Sequence, residues 1–442
     1  MKKQLSVLSL FSAALLCAVP AAAQTPAAPA KSPAPPAAPA KAASKKASPK
    51  VRITCTPANR IVKEGEQVKF SITSDSQLPI EVTISLDGSS QKVFKKVEVR
   101  SPAEITASLD YPGFLHCSAQ SGRTIVKAGV AVAPEKIRYK RKAPADFKEF
   151  WDSALKESAK LPLDLKVEPV KPHSEFESFL VSCANVNGKR AYAFYSAPKK
   201  RTKKMPLVVL FGGGEAYITS LSVPSVARQM SKRFNQPTAV LYLHLPPYPP
   251  ADTREEARKI HTEFLKKLGL RRYILVGLDN PRKYYAYPTI LGALRLINAV
   301  MERPEIDKEQ LFFHGSSHGG KIGAYMAYFL PFRAVFLGVP SSCEINAFLE
   351  GRYGSAAKEA TKYPQTTEYF DLVHFAPGIK CHVLVGVGFH DRSCPPTGVY
   401  SFYNALPEGK KKIMNKISNG HGDAPEWYTP ASWKFLTDRQ KK

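Results

Sequence analysis

Acidic residues are in short supply. The 442-residue chain carries 37 Asp and Glu against 64 Lys and Arg, a formal net charge of +27. Such a surplus disfavours cationic partners and favours acidic ones: sulfated or uronate-bearing glycans, lipopolysaccharide or another cell-surface polyanion. General solubility explains the same charge equally well, and part of it is incidental, since Lys2, Lys3, Lys31, Lys41, Lys45, Lys46 and Lys50 all precede the folded part. Nucleic acid is acidic too, but no recognition module for it is present. Long apolar runs are also missing. The best candidate, Leu5 to Val19, falls short of the roughly 18 residues that span a bilayer. There is no C-x-x-C and no cysteine–histidine cluster at metal spacing, which argues against a structural zinc. No G-x-x-x-x-G-K-S/T occurs, and no G-x-G-x-x-G at a strand–helix junction, which argues against phosphate and dinucleotide sites. No metal and no organic cofactor is expected.

What is present divides into four stretches. Residues 1–23 have a basic start, an apolar centre and Ala21-Ala22-Ala23 before Gln24, the pattern of a cleaved signal peptide. Secretion or periplasmic export is expected. A lipid anchor on Cys17 is disfavoured because bulky Leu16 precedes it. Residues 24–50 are almost wholly Ala, Pro, Ser and Lys and read as a disordered spacer. Residues 51–133 switch to short alternating runs punctuated by Gly, Asp, Asn and Pro, the signature of an immunoglobulin-like β sandwich. A Cys55–Cys117 bridge suits it, although the usual inter-sheet cysteine would sit on the second strand near Phe70 or Ile72. Residues 134–442 alternate apolar strands with helical stretches and predict a doubly wound, mostly parallel sheet. Phe147, Phe150, Trp151, Ala154 and Leu155 share one helix face, with Asp146 as N-cap. Asn187-Gly188 marks a hairpin. Strands are expected at Leu207–Phe211, Ala239–Leu243, Leu311–Phe313, Ala334–Val339, Val383–Val387 and Lys412–Ile417, and a helix at Thr289–Met301.

The chemistry centres on His314-Gly315-Ser316-Ser317-His318-Gly319-Gly320. Only one register gives G-x-S-x-G, with Ser317 between a strand and a helix, where a nucleophile elbow requires glycine on both sides. A serine hydroxyl needs a base and a group to orient that base. In this fold they follow in the order acid, then histidine, in loops after the last strands. Asp391 follows the strand ending at Val387, and His421 the strand ending at Ile417. Ser317 is assigned as nucleophile, His421 as general base and then acid, and Asp391 as orienting carboxylate. Asp423 lies too close in sequence to orient His421, and His390 breaks the chain order. The oxyanion hole is expected from the His318 N–H and from Gly213 or Gly214.

Several segments resemble the acetyl xylan esterase and cephalosporin C deacetylase family, carbohydrate esterase family seven. They are Tyr369-Phe370-Asp371 through Cys381, then Gly388-Phe389-His390-Asp391-Arg392-Ser393-Cys394-Pro395-Pro396, then Tyr403-Asn404-Ala405-Leu406. Gly277-Leu278-Asp279, Tyr284-Tyr285 and Val339-Pro340 with Cys343 fit as well, and so does the helix around Phe147 to Trp151. The resemblance spans about Lys136 to Trp433. It implies an α/β-hydrolase that removes acetyl groups from hydroxyls, with the triad on Ser317, Asp391 and His421. Three features depart from the family pattern. His318 replaces the usual glutamine, Phe211-Gly212-Gly213 replaces His-Gly-Tyr, and the export signal and β region are additions. The expected substrate is therefore an extracellular acetylated carbohydrate. A serine peptidase or general carboxylesterase on the same fold, and a non-catalytic glycan-binding protein, are the alternatives.

Overall fold

In the computed structural model the described residues are 48–87, 89, 92–212, 219–244, 246–352, 354, 358–421 and 429–441. The expected signal segment, most of the spacer, Gly213, Gly214 and Asp423 lie outside them. Where the spacer was expected to end, the chain is already seated on the β region. The Pro49 carbonyl accepts from the Thr124 hydroxyl, and the Lys50 N–H donates to Asp75.

Eight strands come first: β1 (Val51–Thr56), β2 (Ile61–Val62), β3 (Val68–Ser74), β4 (Ile80–Leu86), β5 (Val93–Val99), β6 (Ala103–Ala107), β7 (Gly113–Ser121) and β8 (Thr124–Val132). They form a three-stranded sheet, β1-β3-β6, and a five-stranded one, β2-β8-β7-β4-β5. Phe70 and Ile72 of the first meet Val82, Ile84, Leu115 and Val130 of the second in one core. Cys55 and Cys117 lie in that core on opposite sheets, but as unbonded thiols. The expected bridge is not formed, and both sulfurs pack as small apolar groups.

The remaining elements are α1 (Phe147–Lys160), β9 (Lys166–Pro169), β10 (Phe176–Ala184), β11 (Arg190–Pro198), β12 (Met205–Phe211), α2 (Val223–Phe234), β13 (Ala239–His244), α3 (Arg254–Lys267), α4 (Ala286–Met301), β14 (Ile306–Ser316), α5 (His318–Phe329), β15 (Ala334–Gly338), α6 (Pro364–Thr367), α7 (Leu372–Phe375), β16 (His382–Gly388), α8 (Pro396–Ala405), β17 (Lys411–Lys416) and α9 (Pro430–Thr437). The strands form one nine-stranded sheet, β17-β16-β15-β14-β12-β13-β11-β10-β9. From β17 to β13 all pairs are parallel, while β11, β10 and β9 are added antiparallel. The β10–β11 turn uses Asn187 and Gly188, both at positive φ, as a two-residue hairpin requires.

The central strands are apolar throughout because both faces are covered. Leu207, Val209 and Phe211 of β12 join the core beneath α1, α4, α5 and α8. Val208 and Leu210 join the core beneath α2 and α9. Each such side chain contributes about 1.5–3 kcal/mol by burial. On α1 the expected stripe of Phe147, Phe150, Trp151 and Ala154 is buried. Asp146 does not cap that helix with its side chain; its carboxylate accepts instead from the Tyr369 hydroxyl at 2.6 Å. The Tyr369-Phe370-Asp371 segment is thus a packing element. Asp371 is fully buried and accepts from the N–H groups of Glu344 (3.2 Å), Ile345 (2.6 Å) and Val373 (3.0 Å), which fixes the loop after β15.

Candidate active site

Parallel pairing brings the carboxyl ends of β12, β14, β16 and β17 to one edge of the sheet, where a doubly wound fold places its sites. Ser317 stands between β14 and α5 with φ 57° and ψ −117°. A non-glycine residue in that conformation stores about 1–3 kcal/mol of strain. Its surroundings hold it there. The Ser317 N–H donates to the Gly338 carbonyl at 2.8 Å, and the Ser317 carbonyl accepts from Lys321 N–H at 3.0 Å and Ser341 N–H at 3.2 Å. The flanking glycines are required sterically. A Cβ at Gly315 would stand 2.7 Å from the Gly319 carbonyl carbon, and one at Gly319 would overlap the Phe211 carbonyl.

The three residues predicted to act together meet here. Ser317 Oγ lies 3.1 Å from His421 Nε2, and His421 Nδ1 lies 2.8 Å from Asp391 Oδ2. Asp391 is buried, and its other oxygen accepts from the N–H groups of Ser393 (2.8 Å) and Cys394 (2.9 Å). The loop therefore presents one free carboxylate oxygen, aimed at the histidine. Burial disfavours the His421 imidazolium, but the hydrogen bond and the charge of Asp391 outweigh it and hold its pKa above 6.5.

Other histidines have structural partners. His314 stacks on Trp433 at 3.8 Å, with its Nε2 3.1 Å from Ser432 Oγ, and burial keeps it neutral. His390 Nε2 reaches the Ser418 carbonyl at 2.9 Å. The His318 ring lies edge-on to Phe211 and Tyr285. His318 is the first residue of α5 and directly follows Ser317 at the elbow. Gly213 and Gly214, the other expected donors, are not among the described residues.

A cleft of about 380 Å³ opens onto Ser317 and His421, and Arg272, Tyr285, Lys321, Ser341 and Cys394 help to line it. Lys321 escaped the sequence reading. Its only signal was position: a lysine in the first turn of a helix stands against the macrodipole. It is buried, its Nζ donates to the Tyr285 hydroxyl and lies 4.9 Å from that ring's centre, and burial pulls its pKa down to about 7. A folded pKa depressed in this way is a stability contribution present above the unfolded value near 10.5 and lost as pH falls towards 7. Lys321→Met is therefore expected to be more stable than the wild type at pH 6, on the order of 3 kcal/mol, with a smaller gap at pH 10. Thermal melts at the two pH values check this.

Among the described residues, the one convergence of His, Cys and carboxylate atoms is Asp391, Cys394 and His421, whose ligand atoms lie within 4.8 Å of one another. Both Asp391 oxygens already accept hydrogen bonds, and burial holds the Cys394 thiol protonated. The set suits a proton-relay triad with an adjacent thiol better than a metal centre.

A strained serine elbow at the carboxyl edge of this sheet, with a buried carboxylate and a histidine in line, defines an α/β-hydrolase of the serine esterase type. The chain belongs to the acetyl xylan esterase (AXE1) family, which matches residues 134–223 and 253–439. Acetyl esterase Axe7A of Xylanibacter ruminicola is 25% identical over 342 residues, 73% of this chain and 74% of that protein. Two solved structures share the fold. They are the acetyl xylan esterase of Paenibacillus sp. R4 (TM-score 0.57, 20% identity) and acetyl xylan esterase 1 of Thermoanaerobacterium sp. JW/SL YS485 (TM-score 0.55, 22% identity). Each aligns with 70% of this chain over 98% of its own length. The chain is accordingly a carboxylic ester hydrolase. No helix among the described residues is long and apolar enough to cross a membrane.

Proposed function

We propose that this chain is an exported carbohydrate O-acetylesterase that works through a covalent acetyl-enzyme. The observation that carries the reading is the unbroken line from Ser317 Oγ through His421 to buried Asp391 at the mouth of a cleft. In the first half-reaction Ser317 Oγ attacks the acetyl carbonyl as its proton passes to His421 Nε2. The His318 N–H, with Gly213 or Gly214, holds the oxyanion. Asp391 stabilises the imidazolium, which then gives its proton to the departing sugar oxygen. In the second half-reaction His421 takes a proton from water, the hydroxide adds to the acetyl-serine carbonyl, and acetate leaves as Ser317 is reprotonated. The names of the family and of the relatives support acetyl as the acyl group and a carbohydrate as the alcohol. The apolar stretch before Ala21-Ala22-Ala23 supports export, and hence an extracellular acetylated glycan.

Acetate release measured across acetylated xylan, pectin, sialoglycans and simple acetyl sugars tests the substrate class. A panel with no turnover beside an active long-chain ester would overturn it. Rapid quenching on an aryl acetate should capture one acetyl group on the Ser317 peptide by mass spectrometry; its absence during steady turnover would remove the covalent step.

A further inference from the structure

The family match begins at Pro134, so the β sandwich lies outside it. The sandwich nevertheless touches the two loops that carry the acid and the histidine. The cause lies in the pattern of β7 and β8. Alternation breaks down there, because Gly113–Cys117 and Ala128–Val132 are buried on both faces. Leu115, Cys117, Val130 and Val132 fill the sandwich core, whereas Phe114 and Ala131 belong to the core of the α/β region. Gly129, two residues before Ala131 on β8, is paired with His116 across the sheet and shares that outward face.

Three contacts follow. Gly129 lies against the backbone of the acid loop: a Cβ there would overlap the Phe389 carbonyl and reach 3.2 Å from the His390 nitrogen. Phe114 packs edge-on to the Phe389 ring, with centroids 5.2 Å apart. On the histidine side, Arg60 Nη1 donates to the Ile417 carbonyl at 2.7 Å, four residues before His421. The two loops are also tied to each other. Phe389 N–H donates to the Lys416 carbonyl and His390 N–H to the Asn419 carbonyl, both at 3.2 Å. Pressure at Phe389 or Ile417 is therefore shared by both loops, and Asp391 follows Phe389 by two residues.

We propose that the sandwich is a working part of the active site: through Gly129, Phe114 and Arg60 it positions the loops that carry Asp391 and His421. Gly129 and Arg60 are positioning residues, and the proposal rests on the triad reading above. Here the loops have a covered outer face, and the register of the histidine against the carboxylate depends on what covers it.

The test uses the full chain and an aryl acetate. Gly129→Ala forces the acid loop outward. Its kcat is expected to fall about 10- to 100-fold, the scale of an ångström-sized misplacement, with KM within about twofold. The acid limb of its kcat/KM profile should move to lower pH as His421 loses part of the Asp391 charge. Arg60→Ala should lose about 3- to 10-fold in kcat, and Arg60→Lys should recover part of it. Phe70→Leu, in the sandwich core away from the loops, controls for loss of stability alone: its melting temperature should fall while kcat and the pH limb stay in place. If Gly129→Ala does not fold, the Arg60 pair decides. Variants that melt earlier, like Phe70→Leu, yet keep wild-type kcat and pH limb would overturn the proposal. Ser317→Ala in the same series separates the two levels. If it is inert while Gly129→Ala is unimpaired, only the positioning role fails; if it is fully active, the triad reading fails and the positioning role with it.

Discussion

Ser317→Ala is expected to lower kcat/KM on an aryl acetate by about 10⁴-fold or more, with the fold and melting temperature little changed. Removing the hydroxyl removes the group proposed to form the acetyl-enzyme, while the cleft and the His421–Asp391 pair remain. Binding should therefore survive. A product or slow-substrate analogue should bind the variant within a few-fold of wild type. The expected residual rate is what the remaining donors provide without a nucleophile. Strain contributes to the stability side. Ser317 sits at φ 57°, a cost alanine shares, so the substitution gives no release of strain to confuse the kinetics. A variant retaining more than a few per cent of wild-type turnover would remove Ser317 from the mechanism.

The second large effect is expected at Asp391. Its carboxylate accepts three N–H groups, those of Ser393 and Cys394 on one oxygen and of His421 on the other. Asparagine has only one accepting oxygen. Two backbone N–H groups claim it, so the amide NH₂ turns towards His421 Nδ1 and favours the tautomer with its proton on Nε2. That tautomer cannot take the Ser317 proton, and a loss of about 10⁴-fold in kcat is expected. The pH profile adds a sign. In the wild type the Asp391 hydrogen bond and charge hold the His421 pKa above 6.5, so activity rises through a limb above that pH, where the imidazole becomes neutral. Asp391→Asn removes the charge that favours the imidazolium, so whatever activity remains should have its acid limb at lower pH. A limb that stays put would mean that another group governs it.

Much of the site could be read from residue order alone. A G-x-S-x-G between an apolar run and a helical stretch has few other uses, and a parallel sheet puts consecutive loops on one edge. Asp391 and His421 could therefore be selected without coordinates, from their places after the last two strands. Local patterns also gave the Asn187-Gly188 hairpin and the α1 stripe, because each depends on neighbours within a few residues. Side-chain partners were harder to read. Asp146 stands where a cap should, yet bonds to Tyr369, more than two hundred residues away. Cys55 and Cys117 share a core without a bond. Lys321 looked like any basic residue on a helix until the fold buried it against Tyr285 in the cleft.

Gly129 marks the same boundary. In sequence it is one glycine in an alternating strand, where a missing side chain most simply weakens the sheet. Only the docking of one sheet face onto the loop before Asp391 gives the missing Cβ a purpose. The sequence by itself determined the sheet, the elbow and the chain order of the triad, because periodicity and strand–loop succession are local and additive. Tertiary structure alone decided which buried groups face one another: the lysine in the cleft, the unbonded thiols and the sandwich against the catalytic loops. Those contacts join segments well separated in sequence, and no local pattern encodes which surfaces will meet.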